Sequence, residues 1–297
     1  DIGNYALALE SPIANIVAEG SRAIGTLSHL DSNKILFYET EAVPLMVKSM
    51  ATEDNDVRRW VSRALAILAD DRDLNLLIGE HNCASKVVAM RVMGDEYVGI
   101  EGTKLLAALA QQPENHEQLL TTPVLTTINF ALSSSNMRMQ FHAARCLVHL
   151  IQDMTDEVHK VTICDVMLTR LLELASTSIG KKSRHARHCK YCDEPFERWR
   201  LCLLALGYLS ECDYVKAKLF ENDVHLELLK DLINHDDIGI NRYSLSVLRN
   251  MSYTPQAATI LAAEGYLDIL SKKIEDRDNE IQYQALSAVG NMAISQA

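Results

Sequence analysis

Turn-forming and aromatic residues are scarce in this chain: 12 glycines, 6 prolines and an aromatic share of 6% in 297 residues. With 48% hydrophobic residues, that composition excludes a disordered chain and suits helices rich in leucine and alanine. No apolar run approaches 18 residues, so no segment is expected to span a membrane. The seven cysteines are an odd count, and most fall inside expected helices. They read as reduced, buried thiols in a reducing setting such as the cytoplasm. Catalytic signatures are missing as well: there is no nucleophile elbow, phosphate loop, HExxH pair or dinucleotide fingerprint. His29, His81, His142, His149 and Cys146 lack a matched base and orienting group. The chain is therefore read as non-enzymatic, with no cofactor. Its net charge of −11 argues against a protein that coats nucleic acid, though not against a local basic groove.

What the chain does have is a period. The stretch NEIQYQALSAVGNMAIS (279–295) has a near-copy about forty residues earlier, GINRYSLSVLRNMSY (239–253). The large residue after the Asn-like position serves as a marker along the chain: Leu27, Leu68, Leu109, Leu150, Leu209, Met251 and Met292. The steps are 41, 41, 41, 59, 42 and 41. A fixed period of this size is the signature of stacked helical repeats, and it replaces the two globular domains that length alone suggests. A single solenoid is expected over 1–297. Its repeats fall near 1–30 (partial), 31–72, 73–113, 114–154, 155–212, 213–254 and 255–297.

Each complete repeat is expected to hold a short, a middle and a long helix. In the second repeat these cover 34–39, 43–50 and 54–70, and the acidic ATEDND stretch caps the long one. Val57, Val61, Ala64, Leu65 and Leu68 make one buried stripe on it. The fifth repeat reads as helices over 157–164 and 167–176, a polar, basic insertion over 177–195, and a long helix over 196–211. The insertion, a surface loop, accounts for the 59-residue step. The first repeat is represented by one helix over 13–30. A partial first repeat and an apolar last helix point to a longer chain or a complex that covers the ends.

The last repeat, AAEGYLDILSKKIEDRDNEIQYQALSAVGNMA (262–293), has a Gly before the middle helix, an Asp-rich turn, and a long helix closing in Asn-hydrophobic-Ala. That pattern resembles the armadillo repeat family, and the resemblance covers essentially the whole chain. HEAT repeats are the neighbouring pattern; the recurrent short first helix favours armadillo. The resemblance implies an all-α fold, a right-handed α-α superhelix of about seven repeats, with the long third helices lining a concave groove. It is specific for fold and unspecific for function.

In that family two positions four apart on each long helix commonly hold Trp and Asn. The Asn-like positions here are Thr26, Ile67, Ala108, His149, Tyr208, Asn250 and Asn291. The Trp-like positions are Arg22, Arg63, Lys104, Arg145, Leu204, Ser246 and Ser287. No Trp is kept, so an importin-like hold on basic peptides is not expected, since like charge disfavours it. Instead four cations recur at an interval of 41, with Glu19, Trp60, Glu101 and His142 one turn earlier. His142, Arg145 and His149 share one helix face. Two roles fit the cations. They bond within the stack, with their stems on the apolar floor, or they face an acidic or phosphorylated segment of a protein partner. An extended strand rises about 3.3 Å per residue and packed helices lie roughly 8–10 Å apart, so one rung would meet every third partner residue. Trp60, Tyr208, Tyr243 and Tyr283 are the candidate anchors, and Asn250 and Asn291 are suited to clamp a partner's backbone.

His185, His188, Cys189 and Cys192 crowd into HARHCKYC within the insertion. The Cys-x-x-Cys spacing is compatible with zinc, yet adjacent His188 and Cys189 can hardly both turn to one ion. The segment is read as a mobile basic loop, and no metal is expected. Two other functions fit the repeat pattern: a regulatory domain sensing a phosphorylated small ligand or nucleotide, and a structural subunit of a large assembly.

Overall fold

Nineteen α-helices and no β-strand make up the described part of the chain. The computed structural model describes residues 2–90, 94–179 and 194–294, without the side chains of residues 194, 195 and 255. It divides into two compact units, Asp1–Leu150 and Ile151–Ala297.

In the first unit the helices are α1 (Ile2–Ala8), α2 (Ala14–Leu27), α3 (Lys34–Glu39), α4 (Ala42–Ser49), α5 (Asn55–Leu68), α6 (Arg72–Glu80), α7 (Cys83–Ala89), α8 (Glu96–Leu109), α9 (His116–Leu119), α10 (Thr122–Ser133) and α11 (Met137–Ile151). The long helices α2, α5 and α8 pack side by side. The stripe Val57, Val61, Ala64, Leu65 and Leu68 is fully buried. Aspartates start the helices: Asp54, Asp71 and Asp95 each accept two backbone N–H bonds from the first turn that follows. Polar contacts tie one repeat to the next. Asn75 Nδ2 donates to the carbonyls of Ala69 (2.7 Å) and Ala108 (2.8 Å), and Asn115 Nδ2 donates to Asn75 Oδ1 (2.7 Å). Gly25 lets α2 and α5 close: a Cβ there would lie 2.7 Å from Trp60 Cε3.

The second unit holds α12 (Glu157–Ser176), α13 (Glu194–Leu209), α14 (Asp213–Phe220), α15 (Asp223–Ile233), α16 (Ile238–Met251), α17 (Pro255–Ala263), α18 (Tyr266–Ile274) and α19 (Asn279–Ile294). The long helices α13, α16 and α19 pack in that order. Arg200 reaches one repeat on to Asp237 with two bonds (2.9 and 2.6 Å), and Arg242 does the same with Asp278.

The structure changes two expectations. The first repeat has a second helix, α1, whose Ile2 and Ala6 are buried and which packs on α2 and α4. Residues 157–176 form one continuous helix rather than two. Asp165, at the expected break, projects outward, where it accepts a 2.6 Å bond from the Tyr214 hydroxyl. No helix among the described residues is long and apolar enough to cross a membrane.

Candidate functional site

In the first unit Arg22, Arg63, Lys104 and Arg145 each stand eight residues after the start of a long helix, at Ala14, Asn55, Glu96 and Met137. Equal phase on helices of like length gives the four side chains one common register. They differ in their partners. Arg22 is exposed and held by Glu19 (2.7 Å) and Asp56 (3.8 Å). Arg63 has no carboxylate partner among the described residues: its Nη2 lies 3.5 Å from His29 Nε2, and its guanidinium sits 5.7 Å from the Trp60 ring centre. Lys104 and Arg145, both half-buried, make no hydrogen bond or ion pair among the described residues.

The row one turn earlier is also short of partners. Trp60 Nε1, Glu101 Oε2 and His142 Nδ1 are buried with no hydrogen-bond partner among the described residues, and so is Arg145 Nε. Such atoms are costly, about 1–3 kcal/mol each, and three of them recur at one repeat position. Arg59 and Arg63 flank the Trp60 ring at 5.5 and 5.7 Å. His142 is 7% exposed and packs edge-on against Phe141. Burial, then the charges of Arg145, Lys104 and Arg138, hold its pKa at about 3, so the ring is neutral. Burial and then Arg145 and His116 also lower the pKa of His149.

In the second unit the expected residues are placed differently. Asn250 is buried, and its Nδ2 donates to the Gly207 carbonyl (2.9 Å) and Ser210 Oγ (3.2 Å). Half-buried Asn291 repeats this with the Arg249 carbonyl (3.2 Å) and Ser252 Oγ (3.1 Å). Both amides clamp one long helix to the end of the previous one, which uses their two donors within the fold. Tyr208 and Tyr243 are half-buried neighbours, and their hydroxyls have no hydrogen-bond partner among the described residues. Burial, then Tyr243, Asp153 and Glu211, raise the pKa of Tyr208. Tyr283 is exposed.

Two residues were not singled out in the sequence. Arg138, exposed on the first turn of α11, adds its charge at His142, four residues along the same face. Arg198 is 5% exposed, and its Nε and Nη1 have no hydrogen-bond partner among the described residues. Counting eleven residues back from each marker after the first would have found it: Val57, Val98, Met139, Ile240 and Ile281 occupy the same position and are all buried. His185, His188, Cys189 and Cys192 lie outside the described residues. Among those described, no group of His, Cys, Asp and Glu is arranged to hold a metal.

Comparison with protein families and with curated proteins finds no match. Among solved structures the chain is similar to three engineered proteins determined as targets of the Northeast Structural Genomics Consortium. One superposes with a TM-score of 0.83 at 19% identity, over 98% of this chain and 68% of that one. A second gives 0.71 at 19% identity, over 85% and 97%. A third gives 0.69 at 20% identity, over 84% and 98%. At these identities the likeness concerns the fold alone: an all-helical protein with repeat-like packing of its helices.

Proposed function

We propose that this chain is a non-catalytic protein-interaction module. In this reading it is an armadillo-type, right-handed solenoid whose long helices offer a file of cations to an acidic, extended segment of a partner protein. The observation that carries it is that Arg63, Lys104 and Arg145 have no carboxylate partner among the described residues. The chain is rich in acid, 40 Asp and Glu against 29 Lys and Arg, and neighbouring cations do find partners: Lys48 with Glu10 at 2.6 Å, Arg59 with Asp56 at 3.0 Å, Arg72 with Glu114 at 3.1 Å. Three unpaired cations at one register favour an outside partner over bonds within the stack.

Exposed ion pairs contribute on the order of 0.2–1 kcal/mol each, so the file governs selection and encounter more than tight hold. Trp60, already flanked by two guanidiniums, supplies the anchor in this unit; Tyr208 and Tyr243 offer apolar surface in the other. The five described cysteines are all buried and unpaired, which suits a reducing compartment such as the cytoplasm. The test is fluorescence anisotropy with a labelled, glutamate-rich extended peptide. Wild type should bind at low ionic strength, and the double reversal Arg63→Glu/Lys104→Glu should weaken binding at least tenfold. Equal binding by the two proteins would overturn the reading.

A further inference from the structure

Resting on that reading, we infer that the rung made by Lys104 on α8 and Arg145 on α11 is a phosphate site. It takes a phosphorylated serine or threonine of the extended partner segment, while Arg63 takes a carboxylate three residues away along it.

The rungs of the file differ in the charge they leave open. Arg22 is already neutralised by Glu19 and Asp56. Arg63 is a single cation leaning on Trp60, with His29 beside it, and suits one carboxylate. At the next position two cations, Lys104 on α8 and Arg145 on α11, share one register, and the charges of both act on His142. Asn136, just before α11, donates to Glu96 at the start of α8 (2.5 Å), which ties the two helix starts, and Lys104 and Arg145 each stand eight residues further on. Arg138 adds a third cation from the first turn of α11. None of the three has a carboxylate partner among the described residues, and Glu101, one turn before Lys104, makes no ion pair with any of them.

The charges of all three act on His142, nine-tenths buried with Nδ1 unpartnered among the described residues; Arg145 Nε is unpartnered there as well. Its neutral ring contributes no fourth positive charge and still offers hydrogen bonding. A carboxylate brings one charge and two oxygens. A phosphate monoester brings a charge of about −1.5 to −2 and three acceptor oxygens, which matches a lysine with two guanidinium forks. The spacing of roughly 8–10 Å between packed helices puts the residue facing Arg63 about three positions away on an extended segment.

The test uses labelled peptides of about nine residues, long enough to cross three rungs. Each carries a central phosphoserine with aspartate three residues before or after it, so that both chain directions are sampled. Glutamate, serine and fully neutral versions serve as controls. In one direction the phosphoserine peptide should bind at least tenfold tighter than its serine version, with glutamate between. Lys104→Gln and Arg145→Gln should each cut that advantage below threefold. So should Arg138→Gln, whose exposed position makes misfolding no explanation. Arg63→Gln should weaken all three charged peptides alike. If phosphoserine, glutamate and serine versions bind equally but better than the neutral peptide, the phosphate site is overturned and the acidic-segment reading stands. If no charged peptide exceeds the neutral one, both fall. Inorganic phosphate displacing the phosphopeptide at the peptide's own dissociation constant would mark a small-anion site and overturn the docking inference.

Discussion

Arg198 sits where five other long helices bury an apolar side chain, and among the described residues no carboxylate answers its charge. Its guanidinium lies 4.6 Å from the centre of the Trp199 ring, and burial lowers its pKa. Stacking on an aromatic face returns about 2 kcal/mol when desolvated; taking an uncompensated charge out of water costs several. The balance favours an apolar replacement. Arg198→Met should raise the stability of the second unit by about 1–4 kcal/mol, read as a higher urea midpoint at unchanged slope. A lower midpoint would show that the stacking outweighs the desolvation. The contrast with Lys104 and Arg145 matters. Those cations are half-buried and share one register, whereas Arg198 is 5% exposed and the only charged residue at its repeat position among the described long helices.

Between elements, the ion pairs that join successive long helices of the second unit make it sensitive to acid. Burial alone would raise the Asp237 carboxyl, but bonds from Arg200 and the Ile240 N–H bring it below its ordinary value of 3.8. The two bonds from Arg242, against a smaller effect of burial, hold Asp278 at about 2. A carboxylate whose folded pKa is depressed contributes stability above its unfolded value and loses it as pH falls through the folded one. The second unit should therefore lose stability between pH 3.8 and about 2, and Asp278→Asn should flatten melting temperature against pH in that window. An identical slope in the variant would remove Asp278 from the account. The elements themselves were largely legible in the sequence. Apolar stripes and aspartate caps located α5 within two residues at either end, 54–70 expected against Asn55–Leu68 found. Helix α1 escaped because seven residues are too few to show a period. The single helix α12 was expected as two, over 157–164 and 167–176; the carboxylate of Asp165, in the expected gap, is satisfied by a tyrosine 49 residues away.

For the whole molecule, the cationic file is a local exception on an acidic protein. A net charge of −11 repels acidic partners at long range, so their attraction has to come from the short-range field of Arg63, Lys104, Arg138 and Arg145. Salt screens such a field within about 10 Å at 0.1 M. Binding of an acidic peptide should weaken tenfold or more between about 0.05 and 0.5 M salt, and the Arg63→Glu/Lys104→Glu protein should show a flat response. Wild-type binding that ignores salt would mean that Trp60 and apolar contact, not charge, hold the peptide.

The chain order alone determined the all-helical repeat, because each repeat must carry its own apolar stripe and its own caps, and both are written in adjacent residues. It also determined that four cations share one register, since that is arithmetic on a period of 41. Whether a given cation is free or held was decided only by the tertiary structure. Arg22 meets Asp56 from the next repeat, and Lys104 and Arg145 pair with no acid among the described residues. By the same route Asn250, which the repeat pattern offered to a partner, is engaged by Gly207 and Ser210, about forty residues before it. Partners this far apart in the chain leave no local trace; packing brings them together and so decides which polar groups remain for another molecule.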